Sequence, residues 1–175
     1  MSYKRFRVVS LSRDHGKSVR NQFSSGSEQL DTYFKQQVTQ DIKRSITRCF
    51  VALTSDDRIA GYYTLASASI NLQDLPEELQ KKLPRYPSVP AVRMGRLAVD
   101  QNFQGQGLGG ALLADALKRL CNASTEIGVY ALLVDAKNKT AANFYLHHGF
   151  IQLTNDPTIL FLPLKTASDL LIEIP

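Results

Sequence analysis

Gln104-Gly105-Gln106-Gly107-Leu108-Gly109-Gly110 places four glycines within seven residues. An apolar run, Met94–Val99, precedes this stretch, and a helical pattern of apolar residues, Ala111–Cys121, follows it. A glycine-rich loop between a strand and a helix turns several backbone N–H groups toward one point at the helix N-terminus. Unpaired donors and the helix dipole attract phosphate there. The stretch therefore predicts a ligand that carries phosphate.

Two common phosphate-binding motifs do not fit this loop. It lacks the Gly-Lys-Ser/Thr of a nucleoside triphosphate P-loop. A dinucleotide-binding fold would place its glycines after the first strand, with an acidic residue about twenty positions further on. Here the glycines lie past the middle of the chain. A loop whose glycines only form a tight turn stays open as an alternative.

Length and composition are typical of one globular domain, predicted to span residues 1–175. No apolar run in the chain approaches the length of a membrane span, which is about 20 residues. Residues 1–20 are basic and lack the apolar segment of a secretory signal, which favours a cytoplasmic location. Cys49 and Cys121 lie in apolar contexts outside any metal-binding spacing, so both are predicted to be reduced core residues, and no metal is expected.

The net charge of +5 is concentrated in two basic clusters. The first, within residues 1–20, sets six cations against Asp14 alone, and Lys4 and Arg20 are among them. The second contains no acidic residue and consists of Lys81, Lys82, Arg85, Arg93 and Arg96. Such clusters either bind a polyanion such as nucleic acid or form a solvated face that compensates an anionic ligand.

Apolar periodicity predicts a mixed sheet with helices on both faces, an α/β or α+β fold. We expect Asp74–Pro90 to be a mobile connection with little fixed structure around a short helix, Glu77–Lys82. Ser27 is the predicted N-cap of the first helix. The predicted helices are Glu28–Asp41, Ala111–Cys121 and Lys139–His148, and the predicted strands are Phe6–Leu11, Arg48–Thr54, Ile59–Ile70, Val92–Asp100, Val129–Asp135, Phe150–Gln152 and Thr158–Leu164.

Two segments resemble the signatures of the GNAT N-acetyltransferases. The first is Gln104-x-x-Gly107-x-Gly109, preceded by Arg96-Leu97-Ala98-Val99, which resembles the acyl-CoA-binding motif. The second follows about forty residues later and reads Asn138-Lys139-x-Ala141-x-x-Phe144-Tyr145-x-x-x-Gly149-Phe150. This resemblance implies the GNAT fold, with a mixed central sheet, and acetyl-CoA as the co-substrate.

A closer resemblance extends over nearly the whole chain. Four segments look like the tRNA-acetylating GNAT toxins of the TacT type, which belong to toxin–antitoxin systems: Ser25–Phe34, Ile59–Leu65, Arg96–Asp100 and Asn143–Phe150. The resemblance implies acetylation of the α-amine of aminoacyl-tRNA, which blocks translation. It also implies a ribbon-helix-helix antitoxin and a toxin homodimer.

The GNAT resemblance assigns the donor-binding residues. The backbone of Gln104, Gly105, Gln106, Gly107, Leu108, Gly109 and Gly110 would bind pyrophosphate, and the four glycines are expected to allow positive φ. The backbone of Leu97, Ala98 and Val99 would pair with pantetheine as an added strand would. Asn143 matches a position that hydrogen-bonds pantetheine, and Asn138 is a weaker candidate that could instead cap the helix.

Tyr145 is the predicted general acid. A phenol can donate or share a proton with the departing thiolate, whose conjugate acid has a pKa of about 8.5 by analogy with cysteine. Adjacent helix positions face different sides, so we expect Phe144 in the core and Tyr145 in the cleft. The alternative for Tyr145 is a buried packing role. No general base stands out among His15, His147 and His148, and an ordered water could take that role.

The second basic cluster is the predicted contact for tRNA phosphates, through Lys81, Lys82, Arg85, Arg93 and Arg96. The alternatives are salt bridges to Asp100 or Asp135, or contacts with the phosphates of CoA itself. Two other functions remain open from the sequence alone. One is acetylation of a small amine or a protein N-terminus, and the other is CoA binding without turnover.

Overall fold

The computed structural model describes residues 5–172, so Lys4 lies outside the described part of the chain. The described residues divide into two compact units, 5–66 with 95–116 and 67–94 with 117–172. The prediction of a single domain over residues 1–175 stays a prediction. In chain order the elements are β1 (Arg7–Ser10), α1 (Lys17–Asn21), α2 (Glu28–Thr32), α3 (Val38–Lys43), β2 (Arg48–Leu53), β3 (Ile59–Asn71), α4 (Glu77–Gln80), β4 (Ser88–Met94), β5 (Leu97–Val99), α5 (Leu108–Ala123), β6 (Ala131–Asp135), α6 (Lys139–His147), β7 (Ile151–Gln152), β8 (Ile159–Pro163) and α7 (Leu164–Ile172).

The first unit contains an antiparallel sheet in the order β1-β2-β3-β5. Tyr62 of β3 lies opposite Ala98 of β5, and its ring stacks on Phe34 with 4.3 Å between the centroids. The next residue, Tyr63, points to the other face, where its hydroxyl donates to Asp115 of α5 at 2.6 Å. Because neighbouring strand residues face opposite sides, this unit has helices on both faces of its sheet, as predicted.

The first predicted helix forms and begins at Ser27, whose hydroxyl accepts the Leu30 N–H at 3.5 Å. A π-helical turn, Tyr33–Gln37, separates α2 from α3. Buried Arg20 donates to the carbonyls of Phe34 (2.8 Å) and Lys35 (3.1 Å) in this turn. The guanidinium thus satisfies carbonyls that a widened turn leaves exposed. Arg20 is therefore a structural residue and not part of a basic surface.

Gly61 of β3 sets the distance between the sheet and α5. A Cβ at this position would lie 2.8 Å from Leu112 Cδ1 and 3.0 Å from the carbonyl oxygen of Ala98. Only glycine therefore allows α5 and β5 to approach this part of β3. The position of the α5 N-terminus, and of the glycine-rich loop before it, depends on that contact.

The second unit continues the strand order from the end of β3 as β3-β4-β6-β8-β7. Strands β4 and β6 are parallel, while β8 is antiparallel to both β6 and β7. Its core includes Ile70, Leu133 and Phe161. The predicted mixed sheet of an α/β (α+β) protein is confirmed.

The prediction of little fixed structure in Asp74–Pro90 is wrong. Leu75 is buried, and Leu79 and Leu83 pack against the core of the second unit. The spacing of these three leucines places them on one face of the α4 region. Gln80 Nε2 donates to the Leu75 carbonyl at 2.6 Å, and residues from Ser88 onward belong to β4.

Several element boundaries differ from the predictions. Helix α5 begins at Leu108, ahead of the predicted Ala111, and the predicted strand Val92–Asp100 is divided into β4 and β5. Helices α1 and α7 were not predicted. Cys49 is buried as expected, but Cys121 is only partly buried. Within residues 5–172, no helix is long and apolar enough to cross a membrane.

Candidate active site

The glycine-rich loop leads directly into the first turn of α5. The Ala111 N–H donates to the Gly107 carbonyl at 3.1 Å, the first bond of the helix. The N–H groups of Leu108, Gly109 and Gly110 precede it and have no acceptor within the helix. Three donors therefore lie at the positive end of a 16-residue helix, an arrangement that suits an anion.

Two of the four glycines require their unusual backbone conformation. Gly105 has a φ of +76° and Gly107 a φ of +81°, with open space where a Cβ would stand. Glycine is thus needed there for conformation and not for room. Gly109 and Gly110 are helical and lack positive φ, so the prediction of positive φ at all four positions is wrong for these two. Both residues are helical because α5 begins at Leu108, ahead of the predicted start at Ala111.

A turn at residues 24–26, for which the sequence predicted no role, supports this loop through hydrogen bonds. Gln104 Nε2 donates to the carbonyls of Ser25 (2.8 Å) and Val99 (2.9 Å). The buried carboxylate of Asp100 accepts the Ser24 N–H at 3.0 Å. Gly26 has a φ of +92°, and a Cβ there would lie 2.8 Å from Gln101 Nε2. The resemblance of Ser25–Phe34 was the available signal, but no pattern indicated this contact.

Strand β5 presents one free backbone edge. The Asp100 N–H donates to the Ala60 carbonyl at 2.8 Å, and the Thr64 N–H donates to the Arg96 carbonyl at 3.0 Å. Because alternate residues of an antiparallel strand face the same neighbour, the backbone groups of Leu97 and Val99 point away from β3. Among the described residues, β5 pairs with β3 alone. Their outward groups can therefore pair with an extended ligand, although Gln104 already occupies the Val99 carbonyl.

The division of the predicted strand Val92–Asp100 has a local cause. Thr64 Oγ1 accepts the Arg96 N–H at 3.1 Å, in addition to the backbone bond between the same two residues. Gly95 lies beside this hydroxyl, and a Cβ on Gly95 would be 3.5 Å from it. A side-chain oxygen that replaces a ladder acceptor interrupts regular pairing. The interruption comes immediately before the free edge of β5.

Tyr145 lies in α6 of the second unit, and the residue is only 7% exposed. Its ring contacts Phe144 and Phe150, each with 5.2 Å between centroids. Phe144 is more exposed than Tyr145. The expected arrangement, with Phe144 in the core and Tyr145 more open, is therefore wrong for the ring. Phe150 forms the apolar contact that buries Tyr145.

The Tyr145 hydroxyl differs from those of the other buried tyrosines. The hydroxyls of Tyr33, Tyr62 and Tyr63 donate to Asp41, the Leu30 carbonyl and Asp115 at 2.8, 2.7 and 2.6 Å. No described residue bonds the Tyr145 hydroxyl. Since every fully buried side-chain oxygen in the described part has a partner, this oxygen is open to solvent. A ring held in apolar surroundings with an open hydroxyl is suited to act on a ligand.

Burial makes folding sensitive to alkaline pH. It raises the pKa of Tyr145 to about 12, and it also raises the pKa values of Tyr62 and Cys49. In the unfolded chain these groups lose their protons at about pH 8.5 to 10. The unfolded state then binds fewer protons than the native state, so stability falls as pH rises through this range.

We expect the free energy of unfolding in urea to decrease steadily from pH 8 to pH 10.5. Tyr62→Phe removes one of the titrating groups and should make that decrease shallower. A free energy of unfolding that stays constant over the interval would contradict this assignment.

The remaining polar residues of α6 have separate roles. Asn138 caps the helix, since its Oδ1 accepts the Ala141 N–H at 2.8 Å. Asn143 is exposed on the same helix. His148 Nδ1 lies 2.8 Å from the Phe144 carbonyl, which can only accept, so Nδ1 carries the proton. Its ring packs on Phe144, with 4.5 Å between the centroids, which is a structural role.

The second basic cluster is divided between the two units. Lys81, Lys82 and Arg85 are exposed in the second unit, where Arg93 lies partly buried on β4. Arg96 belongs to the first unit, and its guanidinium carbon lies 3.4 Å from the centre of the Tyr33 ring. Among the described residues Asp100 pairs with Arg58 at 3.8 Å, and neither Arg93 nor Arg96 forms the salt bridge considered above.

The structure groups the predicted donor-binding residues by unit. Leu97–Val99 and Gln104–Gly110 lie together in the first unit, and Asn138, Asn143 and Tyr145 lie together on α6 of the second. The part of the chain that the structure describes contains no cluster of three or more metal-ligating side chains. The first unit thus has free backbone donors at a helix N-terminus and an open strand edge, which suit an extended anionic ligand. The second unit has an open phenol on α6.

Comparison with known families agrees with this geometry. The family model described as "Acetyltransferase (GNAT) domain" matches residues 45–152, which is more than half of the chain. The chain therefore belongs to the GNAT acetyltransferase family.

Relatives within that family cover almost the whole chain. A "tRNA-acetylating toxin" of Mycobacterium tuberculosis is 39% identical over 149 residues, which is 85% of this chain and 88% of the relative. The structure of AtaT complexed with acetyl-methionyl-tRNAfMet is 31% identical and has a TM-score of 0.86, with 95% of this chain and 99% of AtaT covered. A tyrosine-to-phenylalanine mutant of AtaT, bound to the C-terminus of the antitoxin AtaR and acetyl-CoA, is 27% identical and has a TM-score of 0.81, with 96% and 99% covered.

Proposed function

We propose that this protein is a toxin that transfers the acetyl group of acetyl-CoA to the α-amine of aminoacyl-tRNA and thereby blocks translation. One observation carries this proposal: the likeness to tRNA-acetylating toxins extends over 85% of the chain at 39% identity. The likeness reaches beyond residues 45–152, which match the GNAT domain in general. It therefore includes segments that a shared acetyl donor alone does not explain.

The first unit has the groups that acetyl-CoA requires. The free N–H groups of Leu108, Gly109 and Gly110 would bind its pyrophosphate at the positive end of α5. The outward backbone groups of Leu97 and Val99 would pair with the amides of pantetheine as a neighbouring strand would. We assign Asn143 to the same ligand through its exposed carboxamide, and leave Asn138 as the cap of α6.

In the reaction, the amine nitrogen attacks the thioester carbonyl carbon, the C–S bond breaks, and the sulfur leaves with the electron pair. The Tyr145 hydroxyl donates a hydrogen bond to that sulfur. Burial raises the pKa of Tyr145 to about 12, so the phenol stays protonated at neutral pH. A thiol with a pKa of about 8.5 is the stronger acid. Tyr145 therefore stabilises the thiolate by sharing its proton, and the proton that the amine nitrogen releases ends on the sulfur and completes the thiol of CoA.

The acceptor would bind through phosphate contacts. Exposed Lys81, Lys82 and Arg85 are assigned to tRNA phosphates, together with Arg93. Such contacts position a polynucleotide without reading its sequence. Arg96 is assigned to the same role with its guanidinium held over Tyr33.

We further propose the setting in which this enzyme acts. It works in the cytoplasm as a homodimer, and a ribbon-helix-helix antitoxin neutralises it. The antitoxin-bound AtaT mutant, which resembles 96% of this chain, supports the antitoxin. The absence of a metal from the mechanism is part of the proposal, since amine attack on a thioester needs only positioning and proton transfer.

Acetyl transfer from labelled acetyl-CoA tests the acceptor. The protein is incubated separately with charged tRNA, deacylated tRNA, polyamines and a peptide with a free N-terminus. We expect label on charged tRNA and none on deacylated tRNA. Label confined to polyamines or the peptide would replace this function with acetylation of small amines or protein N-termini. Absence of transfer to any acceptor would indicate CoA binding without turnover.

A further inference from the structure

Tyr86 is a large aromatic residue that the structure leaves 64% exposed. It follows α4 in the second unit and comes just before β4, between Pro84 and Pro87. No described residue forms a ring contact or a side-chain hydrogen bond with it. None of the donor-binding residues explains an aromatic side chain at this position.

The chain holds Tyr86 in a fixed backbone setting. Its N–H donates to the Pro84 carbonyl at 2.8 Å, and the Leu72 N–H donates to the Pro87 carbonyl at 3.0 Å. Leu83 packs against the core of the second unit just before this segment. Prolines on both sides restrict the backbone further. An exposed ring on a restrained backbone loses little conformational freedom when it binds a planar ligand.

Three exposed cations lie within the five residues before Tyr86 in the sequence. Lys81, Lys82 and Arg85 are exposed, and no described residue forms an ion pair with any of them. Glu77 and Glu78 lie one helical turn before the two lysines, yet no salt bridge within 4.0 Å forms. Residues 81–96 contain no acid. An aromatic ring among unpaired cations is the composition that binds single-stranded nucleic acid through stacking and phosphate contacts.

We propose that Tyr86 is a stacking platform for an unpaired base of the acceptor end of tRNA, with the neighbouring cations on its phosphates. The proposal rests on the proposed function, which supplies the RNA. The acceptor end of tRNA is single-stranded, so its bases can stack on aromatic side chains. Phosphate contacts alone would not require an aromatic residue here. An acidic protein partner is the competing occupant, and it is decided by the tests below.

Tyr86→Trp turns the platform into its own reporter, because the chain contains no tryptophan. We expect deacylated tRNA to quench this single tryptophan, and an RNA trinucleotide of sequence CCA to quench it at higher concentration. Ile127→Trp is the matched control, since Ile127 is 67% exposed and its neighbour Glu126 is acidic. Equal quenching of the two variants, or none in Tyr86→Trp, would overturn the proposal.

Kinetics separate stacking from a structural role. Tyr86→Leu should raise the KM for charged tRNA about 10-fold, within the range for loss of one stacked base, with the KM for acetyl-CoA unchanged. Tyr86→Phe keeps the ring and should restore the wild-type KM. Lys82→Gln should instead lower the salt dependence of binding by about one released counterion, which Tyr86→Leu should not do.

The outcomes also separate this platform from the proposed function. If the enzyme acetylates charged tRNA and Tyr86→Leu leaves its KM unchanged, the platform is wrong and the function stands. If RNA quenches Tyr86→Trp but no acetyl reaches charged tRNA, the platform stands and the function is wrong. If Tyr86→Leu weakens self-association or antitoxin binding and leaves RNA affinity intact, the surface belongs to a protein partner and the proposal is overturned.

Discussion

Tyr145→Phe is expected to lower kcat for acetyl transfer about 10²- to 10⁴-fold, the usual contribution of a general acid. The KM for acetyl-CoA should change little, because the hydroxyl stabilises the sulfur as the C–S bond breaks and does not contribute to binding of the intact thioester. Thermal stability should also remain, since no described residue hydrogen-bonds this hydroxyl. Single-turnover kinetics with charged tRNA measure the first effect, and thermal unfolding measures the last.

Tyr62→Phe is the matched control for this substitution. The Tyr62 hydroxyl donates to the Leu30 carbonyl at 2.7 Å, so its removal deletes this hydrogen bond and should cost about 0.5–1.5 kcal/mol of stability. Catalysis by the folded fraction should persist. The opposite pattern, with Tyr145→Phe unstable but active, would assign Tyr145 to packing alone.

The double variant Gly105→Ala/Gly107→Ala is expected to raise the KM for acetyl-CoA about 30- to 900-fold. Left-handed backbone costs an L-residue about 1–2 kcal/mol, so two positions account for about 2–4 kcal/mol. In the double variant, the exposed loop is free to relax before acetyl-CoA binds. The alanines must then adopt the strained positive φ when pyrophosphate binds, and this cost lowers the affinity for acetyl-CoA. Steady-state kinetics with acetyl-CoA as the varied substrate measure it.

Gly16→Ala/Gly128→Ala is the matched control. Both glycines have open space for a Cβ and neither has a positive φ. The control should leave the KM for acetyl-CoA unchanged. An equal rise in both double variants would mean that backbone conformation at the loop is not what positions the N–H donors.

Sequence periodicity predicted the part of the fold that depends on local apolar patterns. The helix after Ser27 and the strands around Val51, Tyr62 and Leu133 form as expected, because each buries one face or both. The prediction of little fixed structure in Asp74–Pro90 is wrong, because it relied on the prolines of this segment, which favour a loose connection. Its three leucines instead share one face and pack on the core. Short helical segments of this kind depend on tertiary contacts that periodicity does not contain.

The sequence predicts residues for the candidate site, and their geometry comes from the structure. Gly105 and Gly107 could be singled out because a glycine loop before a helix has a known physical use. The hydrogen bond from Gln104 Nε2 to the Ser25 carbonyl joins positions 79 residues apart, and no local sequence pattern predicts such a bond. The burial of the Tyr145 ring likewise depends on its contact with Phe150, which follows the end of α6. Tertiary contacts of this kind required the structure.

The chemical position of the transferred acetyl group tests the central claim most directly. Charged tRNA is incubated with labelled acetyl-CoA and the protein, and the aminoacyl ester is then cleaved by mild base. Mass analysis follows the label in the released amino acid and in the polynucleotide. The account predicts that all label leaves the tRNA as N-acetyl amino acid. Label that remains on the polynucleotide, or that never enters charged tRNA, would contradict it.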